Sequence, residues 1–320
     1  MMDIKHIIIW GHKLHSHTHS YIHNAFFIAF AKLGYETHWF DDNDDISNFD
    51  FSNSLFITEH QVDNKIPKLK DCLYFVHFVD PGKYDELPNE NIIELKCVNR
   101  DMISDKNENP NIVFTPITDN NFEFFSKGKH YQYYTMWGTD IFPEDIQRNI
   151  DNLPEISNKI TPSIFNFIGH MTEPWIIVYK ACQSINMPFI KSGATFNQNH
   201  PNNKSIEENI NQIQSSSISP AFQQDVQIEA NYIPCRIFKN ISYGRMGITN
   251  NPGVNELFGN RLIYNDNIIE CMNRGFEFEK KPNKLIIIKD LMEYVRDNHT
   301  YIQRIESMKM FINKYTHYKI

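Results

Sequence analysis

The sequence predicts an α/β protein made of two successive units, each with a parallel sheet. Short apolar runs without polar alternation are typical of parallel strands that are covered on both faces. Segments with helical spacing separate these runs, so strands and helices alternate along the chain. At 320 residues the chain exceeds one comfortable core, and two domains of about 150 residues each are expected. We predict an N-terminal domain at 1–155 and a C-terminal domain at 156–320.

The first unit opens with a strand–helix–strand motif. The run "HIIIW" (6–10) is predicted as a buried strand and "YETHWF" (35–40) as the next one. Between them a helix is predicted from Ser20, with apolar residues at every third or fourth position and Gly34 as its C-cap. Such a motif predicts two parallel strands joined by a right-handed crossover.

The same alternation continues through the first unit and then weakens. Four more strands are predicted: "SLFITEH" (54–60), "CLYFVHFV" (72–79), "IIELKCV" (92–98) and "NIVFTPI" (111–117). The segment 119–160 is rich in Asn, Asp, Pro and aromatic residues, and we interpret it as the connection between the two domains.

A second round of strands and helices follows this connection. Predicted strands cover 163–171, 187–193, 217–223, 246–250 and 261–265, and predicted helices cover 173–186, 205–216, 234–244 and 252–259. Two more helices close the chain, and the last, at about 285–314, is expected to brace the N-terminal domain. The two halves together predict two facing Rossmann-like domains with a long C-terminal helix.

Charge and composition exclude several classes of protein. The net charge of −8 argues against a nucleic acid or an anionic membrane surface as the partner. The five cysteines are scattered and never in CxxC spacing, which is typical of reduced thiols and not of a disulfide framework or a zinc motif. The sequence has no signal-peptide pattern and no apolar run of membrane-spanning length. We therefore expect a soluble, cytoplasmic protein.

The loop "ITNNPGVNELFG" (248–259) predicts a site for an anionic ligand. A strand is expected to end at Asn250, and the next Asn-Pro pair to open a helix. The amides of Gly253, Val254 and Asn255 would then be free at a helix N-terminus, where phosphate binds favourably. A simple turn with no ligand is the alternative.

The preceding helix adds positive charge to this prediction. Arg236 lies near its start and Lys239 one turn later, so both side chains can share a face. Arginine is suited to bidentate capture of phosphate oxygens. Two solvated surface charges are the alternative, but the cations and the loop together favour an anionic ligand.

Several motifs resemble those of the GT-B glycosyltransferases. The stretch "YIPCRIFKNISYGRMGITNNPGVNELFG" (232–259) resembles their Arg-x-Phe-Glu…Gly helix with the following strand and loop. "SIFNFIGHM" (163–171), "MWGTDIFPEDI" (136–146) and "DNHTYIQRIESM" (297–308) resemble their nucleotide-sugar strand, inter-domain segment and closing helix. The similarity is closest to the CgeB-like spore-maturation proteins and the glycosyltransferase group-1 family. It is good over about 160–310, and over 1–118 it is architectural only.

This resemblance implies a nucleotide sugar on the C-terminal domain, an acceptor on the N-terminal domain and catalysis without a metal or other cofactor. It implies that Arg236 and Lys239 contact the diphosphate and that Gly169 and His170 form the turn beneath it. The residues that would wrap the phosphates or the sugar are Asn250, Asn251, Gly253, Val254 and Asn255. Lys239 stands where many retaining relatives have Glu, and Glu256 is the acidic residue that would replace it.

The stretch "IIIWGHKLHSHTHSYIHNAFF" (7–27) contains five histidines: His12, His15, His17, His19 and His23. They follow the first strand, and ligands bind at the carboxyl ends of strands in open parallel sheets. A neutral imidazole can accept the proton of an acceptor hydroxyl, and the resemblance implies a base histidine in this loop of inverting members. His17 and His19 are the candidates, because they lie at the loop end and the helix start.

A metal site and plain loop packing are the alternatives for this loop. His19 and His23 have the i, i+4 spacing that can bind zinc on a helix, and His17 is two residues from His19. The sequence has no HExxH motif and no acidic or cysteine partner close to the loop, so we expect no metal.

Four residues are expected to line the acceptor site: His15, Thr18, His77 and Asp80. Thr18 and Ser20 are also interpreted as N-caps of the first helix. The sequence thus predicts a glycosyltransferase that moves a sugar from a UDP- or GDP-sugar to a hydroxyl of a glycan or similar acceptor. Two other hypotheses stay open: a nucleotide-sugar 2-epimerase of the same fold, and a degenerate transferase that binds a nucleotide or glycan without chemistry.

Overall fold

The computed structural model describes residues 2–97, 123–127, 130–161, 165–193, 200–230 and 232–320. The strand predicted at 111–117 and the first two residues of the one at 163–171 lie outside these ranges. The chain divides into two compact units. The first takes the chain up to Met136 together with Tyr301–Ile320, and the second takes most of Trp137–Thr300.

The strands of the described ranges are β1 (Met2–Asp3), β2 (His6–Trp10), β3 (Thr37–Phe40), β4 (Ser54–Glu59), β5 (Leu73–His77), β6 (Ile92–Lys96), β7 (Glu123–Lys127), β8 (His130–Tyr134), β9 (Phe165–Ile168), β10 (Phe189–Ser192), β11 (Ile248–Thr249), β12 (Ile263–Tyr264) and β13 (Tyr318–Lys319). The α-helices are α1 (Ser20–Lys32), α2 (Pro143–Asp151), α3 (Leu153–Asn158), α4 (Glu173–Ser184), α5 (Ile206–Gln214), α6 (Asp225–Glu229), α7 (Cys235–Ser242), α8 (Pro252–Leu257), α9 (Ile268–Glu279), α10 (Lys284–Asn298) and α11 (Tyr301–Tyr315). None of these helices combines the length and the hydropathy needed to cross a bilayer.

The first unit is built on a seven-stranded sheet with the order β3-β2-β4-β5-β6-β8-β7. All neighbours pair in parallel except β7, which runs antiparallel to β8. Every residue of β4 and β5 is buried, as expected for central strands that are covered on both faces. The predicted strand–helix–strand motif and the five predicted strands within 6–96 are confirmed. β7 and β8 were not predicted, because their short aromatic and polar sequences fall in the segment interpreted as a connection.

The end of the chain belongs to the first unit. The ring of Phe311 on α11 lies 6.0 Å from the ring of Phe75 on β5 and 5.3 Å from that of Tyr133 on β8. The prediction of one helix over 285–314 is wrong, since α10 ends at Asn298 and α11 begins at Tyr301. Thr300, between the two helices, instead forms a parallel bridge with Thr139, and this extended pairing interrupts helical hydrogen bonding.

The second unit contains two short parallel pairs, β9 with β10 and β11 with β12. The strand predicted at 217–223 is not formed, because side chains satisfy much of its backbone. The side-chain amide of Asn250 accepts from Gln223 N through Oδ1 and donates to Gln223 O through Nδ2, each at 2.9 Å. Asn240 Nδ2 donates to Ser219 O at 2.8 Å. One backbone bond, from Ala221 N to Ile248 O, ties the segment to β11.

Candidate functional site

The histidine loop, residues 11–19, leaves β2 through a glycine that no other residue can replace without rearrangement. Gly11 has φ +152°, and a Cβ there would lie 2.4 Å from Cε1 of the His23 ring. Its N–H donates to Phe40 O at 2.9 Å. The first residue of the loop is therefore fixed between β3 and the first helix.

Ser20 holds the rest of the loop in place. Its Oγ donates to His17 O at 2.6 Å and accepts from His15 N at 3.0 Å, while His17 Nδ1 accepts from His19 N at 3.3 Å. The N-cap residue of α1 is His19, with no side-chain capping bond, and Thr18 is exposed. The interpretation of Thr18 and Ser20 as N-caps is wrong, because His19 occupies the N-cap position and the Ser20 hydroxyl hydrogen-bonds the loop backbone.

The loop brings several imidazoles together into what we call the histidine cluster: His12, His17, His19, His23 and His77. The His12 and His17 rings stack with their centroids 4.3 Å apart, and His17 and His19 are nearly parallel at 5.6 Å. His19 Nε2 lies 3.1 Å from Nδ1 of His77, at the end of β5. The structure thus groups His17, His19 and His77, three of the residues singled out by the sequence.

A buried carboxylate completes the cluster. Glu59, at the end of β4, is 1% exposed, and its Oε1 lies 2.9 Å from His12 Nε2. The expectation that no acidic partner lies near the loop is therefore wrong. Parallel pairing of β2 with β4 sets Ile9 beside Ile57, so Glu59, two residues on, lies level with the start of the loop. The sequence does not give the order of the strands in the sheet, so it could not predict that Glu59 lies beside the histidine loop.

Burial governs the charge of this cluster. It lowers the pKa of His19 to about 4, and lowers the pKa of His23 and of His77 to about 3. Burial alone would raise the pKa of Glu59, but the contact with His12 and the neighbouring His19 outweigh it and lower this pKa to about 2. Near pH 7 the Glu59 carboxylate is therefore charged and His19, His23 and His77 are neutral, so the cluster combines a negative charge with imidazoles that can accept a proton or bind a cation.

The other predicted acceptor residues lie outside this cluster. His15 Nδ1 is 3.2 Å from the hydroxyl of Tyr21. Asp80 is half-exposed and lies 3.3 Å from Nδ1 of His60. An acceptor role for His15, Thr18, His77 or Asp80 stays a prediction.

The second unit places Arg236 directly against the Gly169 turn. Arg236 is the second residue of α7, and Gly169 follows β9 with φ +143°. A Cβ at position 169 would lie 2.3 Å from Nη2 of Arg236. The guanidinium also lies over two aromatic rings, 4.5 Å from the centroid of Phe167 and 5.3 Å from that of Trp175. The sequence does not predict this aromatic platform, because Phe167 and Trp175 are far from Arg236 along the chain.

The charge of Arg236 is not neutralised by an acidic residue within the described ranges. Its Nη1 is buried and has no hydrogen-bond partner among the described residues, and burial lowers the pKa of Arg236 to about 10. The buried Arg245 of the same unit differs, since its Nη2 lies 3.0 Å from a carboxylate oxygen of Glu279. A buried cation with an unsatisfied donor is costly, and an anion at the Gly169 turn would relieve that cost.

Lys239 is not the available cation that the sequence predicts. Its Nζ lies 2.7 Å from Oδ2 of Asp140, whose side chain is nearly buried. The Tyr243 hydroxyl donates to the other oxygen of the same carboxylate. The sequence did not predict this counter-ion from the "WGTD" segment, and the contact of Lys239 with the diphosphate stays a prediction.

The loop at 250–256 does not offer free amides. Asn251 Oδ1 accepts from Gly253 N at 2.9 Å and from Val254 N at 3.4 Å. The third amide, of Asn255, donates to Asn251 O at 3.2 Å. The expectation of free amides is wrong, because the N-cap asparagine already occupies them.

The remaining residues predicted to bind the nucleotide sugar have structural contacts or lie on the surface. Asn250 supports Gln223, as described above. The Asn255 side chain donates to Asn260 Oδ1 at 3.0 Å and accepts from Leu262 N at 3.2 Å. Glu256 and His170 are exposed. Of the predicted donor-site residues, the structure brings Gly169 and Arg236 together.

Comparison with known proteins identifies the fold. No protein-family model matches the chain, and no curated protein matches it. A solved alpha-glucosyltransferase in complex with UDP has a TM-score of 0.56 and 11% identity over 98% of this chain and 100% of that one. An alpha-glucosyltransferase with UDP-glucose and DNA containing an abasic site has a TM-score of 0.53 and 11% identity, covering 96% and 99%. A third, with UDP and a 13-mer DNA containing a HMU base, has a TM-score of 0.54 and 10% identity, covering 97% and 100%.

These matches show the fold. It is mixed α/β with a parallel sheet, and the structural neighbours support the predicted GT-B fold. The closer resemblance to the CgeB-like group stays a prediction.

Proposed function

We propose that the protein is a glycosyltransferase that moves a sugar from a nucleotide diphosphate sugar to a hydroxyl acceptor. The observation that carries the proposal is Arg236, a buried guanidinium without an acidic partner in the described residues, seated at the Gly169 turn on two aromatic rings. Support for the class comes from the fold, which is that of solved alpha-glucosyltransferases.

The donor side needs positive charge where the leaving group forms. When the bond between the sugar and the diphosphate breaks, negative charge grows on the phosphate oxygens. Arg236 can donate hydrogen bonds to those oxygens. α4 begins at Glu173, four residues after Gly169, and its N-terminal dipole favours an anion at the same turn. UDP is the first nucleotide to test, because the structural neighbours were solved with UDP or UDP-glucose.

The acceptor side needs a base. The acceptor oxygen forms its bond to the sugar carbon as the nucleoside diphosphate leaves, and the hydroxyl proton passes to an imidazole nitrogen. We assign this role to His19, with His17 as the second candidate, because burial lowers the pKa of both imidazoles and so leaves a ring nitrogen unprotonated to accept the hydroxyl proton. The acceptor we propose is a glycan hydroxyl, in a cytoplasmic pathway.

The donor site is tested by binding of UDP and of GDP to wild-type protein and to Arg236→Gln. The matched control is Arg261→Gln, since Arg261 also lies over an aromatic ring, Tyr294, but is exposed and paired with Asp290. We expect Arg236→Gln to weaken binding by about tenfold or more, and Arg261→Gln to leave it within about twofold. Equal affinity in wild type and Arg236→Gln would remove the basis of the proposal.

Turnover is tested by release of the nucleoside diphosphate from a panel of nucleotide sugars, with and without glycan acceptors. His19→Ala is expected to lower transfer while UDP binding is retained. UDP binding without turnover on any acceptor would favour a non-catalytic binding protein, and conversion of the sugar without acceptor would favour the epimerase. A DNA oligomer carrying HMU belongs in the panel, because a structural neighbour was solved with such DNA. Transfer to it would overturn the glycan assignment and leave the transferase proposal standing.

A further inference from the structure

We propose that His12, His17 and Glu59 bind a divalent transition-metal ion of the Zn²⁺ type. One ligand atom from each residue lies within 4.8 Å of the other two. Two imidazoles and one carboxylate form a donor set that zinc uses in proteins, usually with a fourth position open to water.

The contact between His12 and Glu59 is the strongest observation. Nε2 of His12 and Oε1 of Glu59 are 2.9 Å apart, yet neither atom makes a hydrogen bond of acceptable geometry with any described residue, and both are buried. In a tetrahedral zinc site, ligands about 2.0–2.1 Å from the ion are about 3.3 Å from each other. A cation shared by the two atoms accounts for their approach and for their lack of hydrogen bonds.

The surroundings of the site suit an ion as well. Glu59 is 1% exposed, and no described lysine or arginine forms an ion pair with it, so its charge lacks a permanent cationic partner. Its second oxygen accepts from Gln61 N at 3.2 Å, which orients the carboxylate. His17 contributes one ring nitrogen to the group, and its Nδ1 accepts from His19 N at 3.3 Å, which holds the ring in place.

A second group of the same residue types is the natural control. His6, Glu36 and His38 also lie close enough to share an ion, with nitrogen–oxygen distances of 3.2 and 3.0 Å to Glu36. The Glu36 side chain is 61% exposed, however, so water solvates this trio. Adventitious binding is expected there, and specific binding at the buried group.

The ion would tie the histidine loop to β4, because two of its ligands come from the loop and the third from that strand. His19 then remains the imidazole for the proposed base, since His17 is a ligand. The metal site does not depend on the donor side of the transferase proposal, which rests on Arg236 of the second unit.

The test is calorimetric titration of the full-length, EDTA-stripped protein with Zn²⁺, with Co²⁺ absorption as a second readout of nitrogen and oxygen ligation. We expect about one equivalent to bind, and His12→Ala or His17→Ala to weaken this binding by about tenfold or more. The double variant His6→Ala/His38→Ala should retain it. His17 lies on a half-buried loop, so His17→Ala remains informative if His12→Ala fails to fold. Absence of Zn²⁺ binding, or loss only in the His6/His38 variant, would overturn the proposal. UDP affinity of the stripped wild-type protein is measured in parallel, so failure of the metal site is separable from failure of the proposed function.

Discussion

Gly169 and Arg236 occupy one space: the guanidinium lies where any side chain at position 169 would begin. The glycine is therefore as much a part of the proposed donor site as the arginine. Its φ of +143° adds a second reason why no other residue fits.

We predict that Gly169→Ala displaces the guanidinium and lowers both nucleotide affinity and stability. The loss of stability should be about 1–3 kcal/mol, from backbone strain and overpacking. Urea unfolding and UDP binding measure the two effects. Gly259→Ala is the matched control, because φ is +62° there but the nearest atom to a new Cβ is 3.9 Å away. Equal effects of the two variants on UDP binding would contradict the shared-space interpretation.

Asp140→Asn should destabilise the second unit by about 1–3 kcal/mol, because it leaves Lys239 without its nearly buried carboxylate. The exposed pair of Arg261 and Asp290 provides the comparison, and Asp290→Asn should change the unfolding free energy by less than about 0.5 kcal/mol. Urea unfolding of both variants measures the two changes in unfolding free energy. A loss no larger in Asp140→Asn than in Asp290→Asn would show that the Lys239 pair contributes nothing.

Asn251→Ala should cost about 1 kcal/mol or more, since it removes the acceptor for the first amides of α8. The side chain also donates from Nδ2 to Gln223 Oε1 at 2.9 Å, so a buried acceptor is left unsatisfied. Asn267→Ala removes the equivalent cap from α9, where Asn267 is exposed, and is expected to cost less. Chemical denaturation of the two variants should preserve that order.

Stability of the EDTA-treated protein should fall as pH decreases below about 6.5. The folded-state pKa values of His23 and His77 are lowered to about 3, so the unfolded chain binds more protons between pH 6.5 and 3. Stability therefore rises with pH across this window, by about 1–2 kcal/mol per imidazole between pH 5 and 7.

The measurement for this prediction is the difference in unfolding free energy between pH 7 and pH 5. His23→Gln should reduce the difference, because the buried imidazole is removed, whatever the variant's stability at pH 7. His317→Gln, which replaces an exposed residue, should leave the difference between pH 7 and pH 5 unchanged. An unchanged difference in His23→Gln would mean that His23 is not held neutral by burial.

What the sequence could predict depends on the range of the interaction. Local patterns identify the apolar run of β2, the helix from Ser20 and the turn at Gly169, because each is set by residues close in the chain. The partners of Lys239 and His12 could not be predicted, since Asp140 and Glu59 reach them through the tertiary fold. The prediction of free amides after Asn251 failed for another reason. The sequence predicts where the helix begins, but not that the Asn251 side chain accepts hydrogen bonds from its first amides.

Because the end of the chain returns to the first unit, some contacts of that unit can form only late in synthesis. β1 pairs in parallel with β13, and the Tyr318 hydroxyl donates to Cys72 O at 3.0 Å. The ribosome must therefore make every residue up to β13 before β1 can pair and this hydroxyl contact can form. The second unit lies between these two segments of the chain, and its ends pair at Thr139 and Thr300, so its own contacts do not depend on β13. β1 thus precedes every other described strand in the chain and can pair only after all of them have been made.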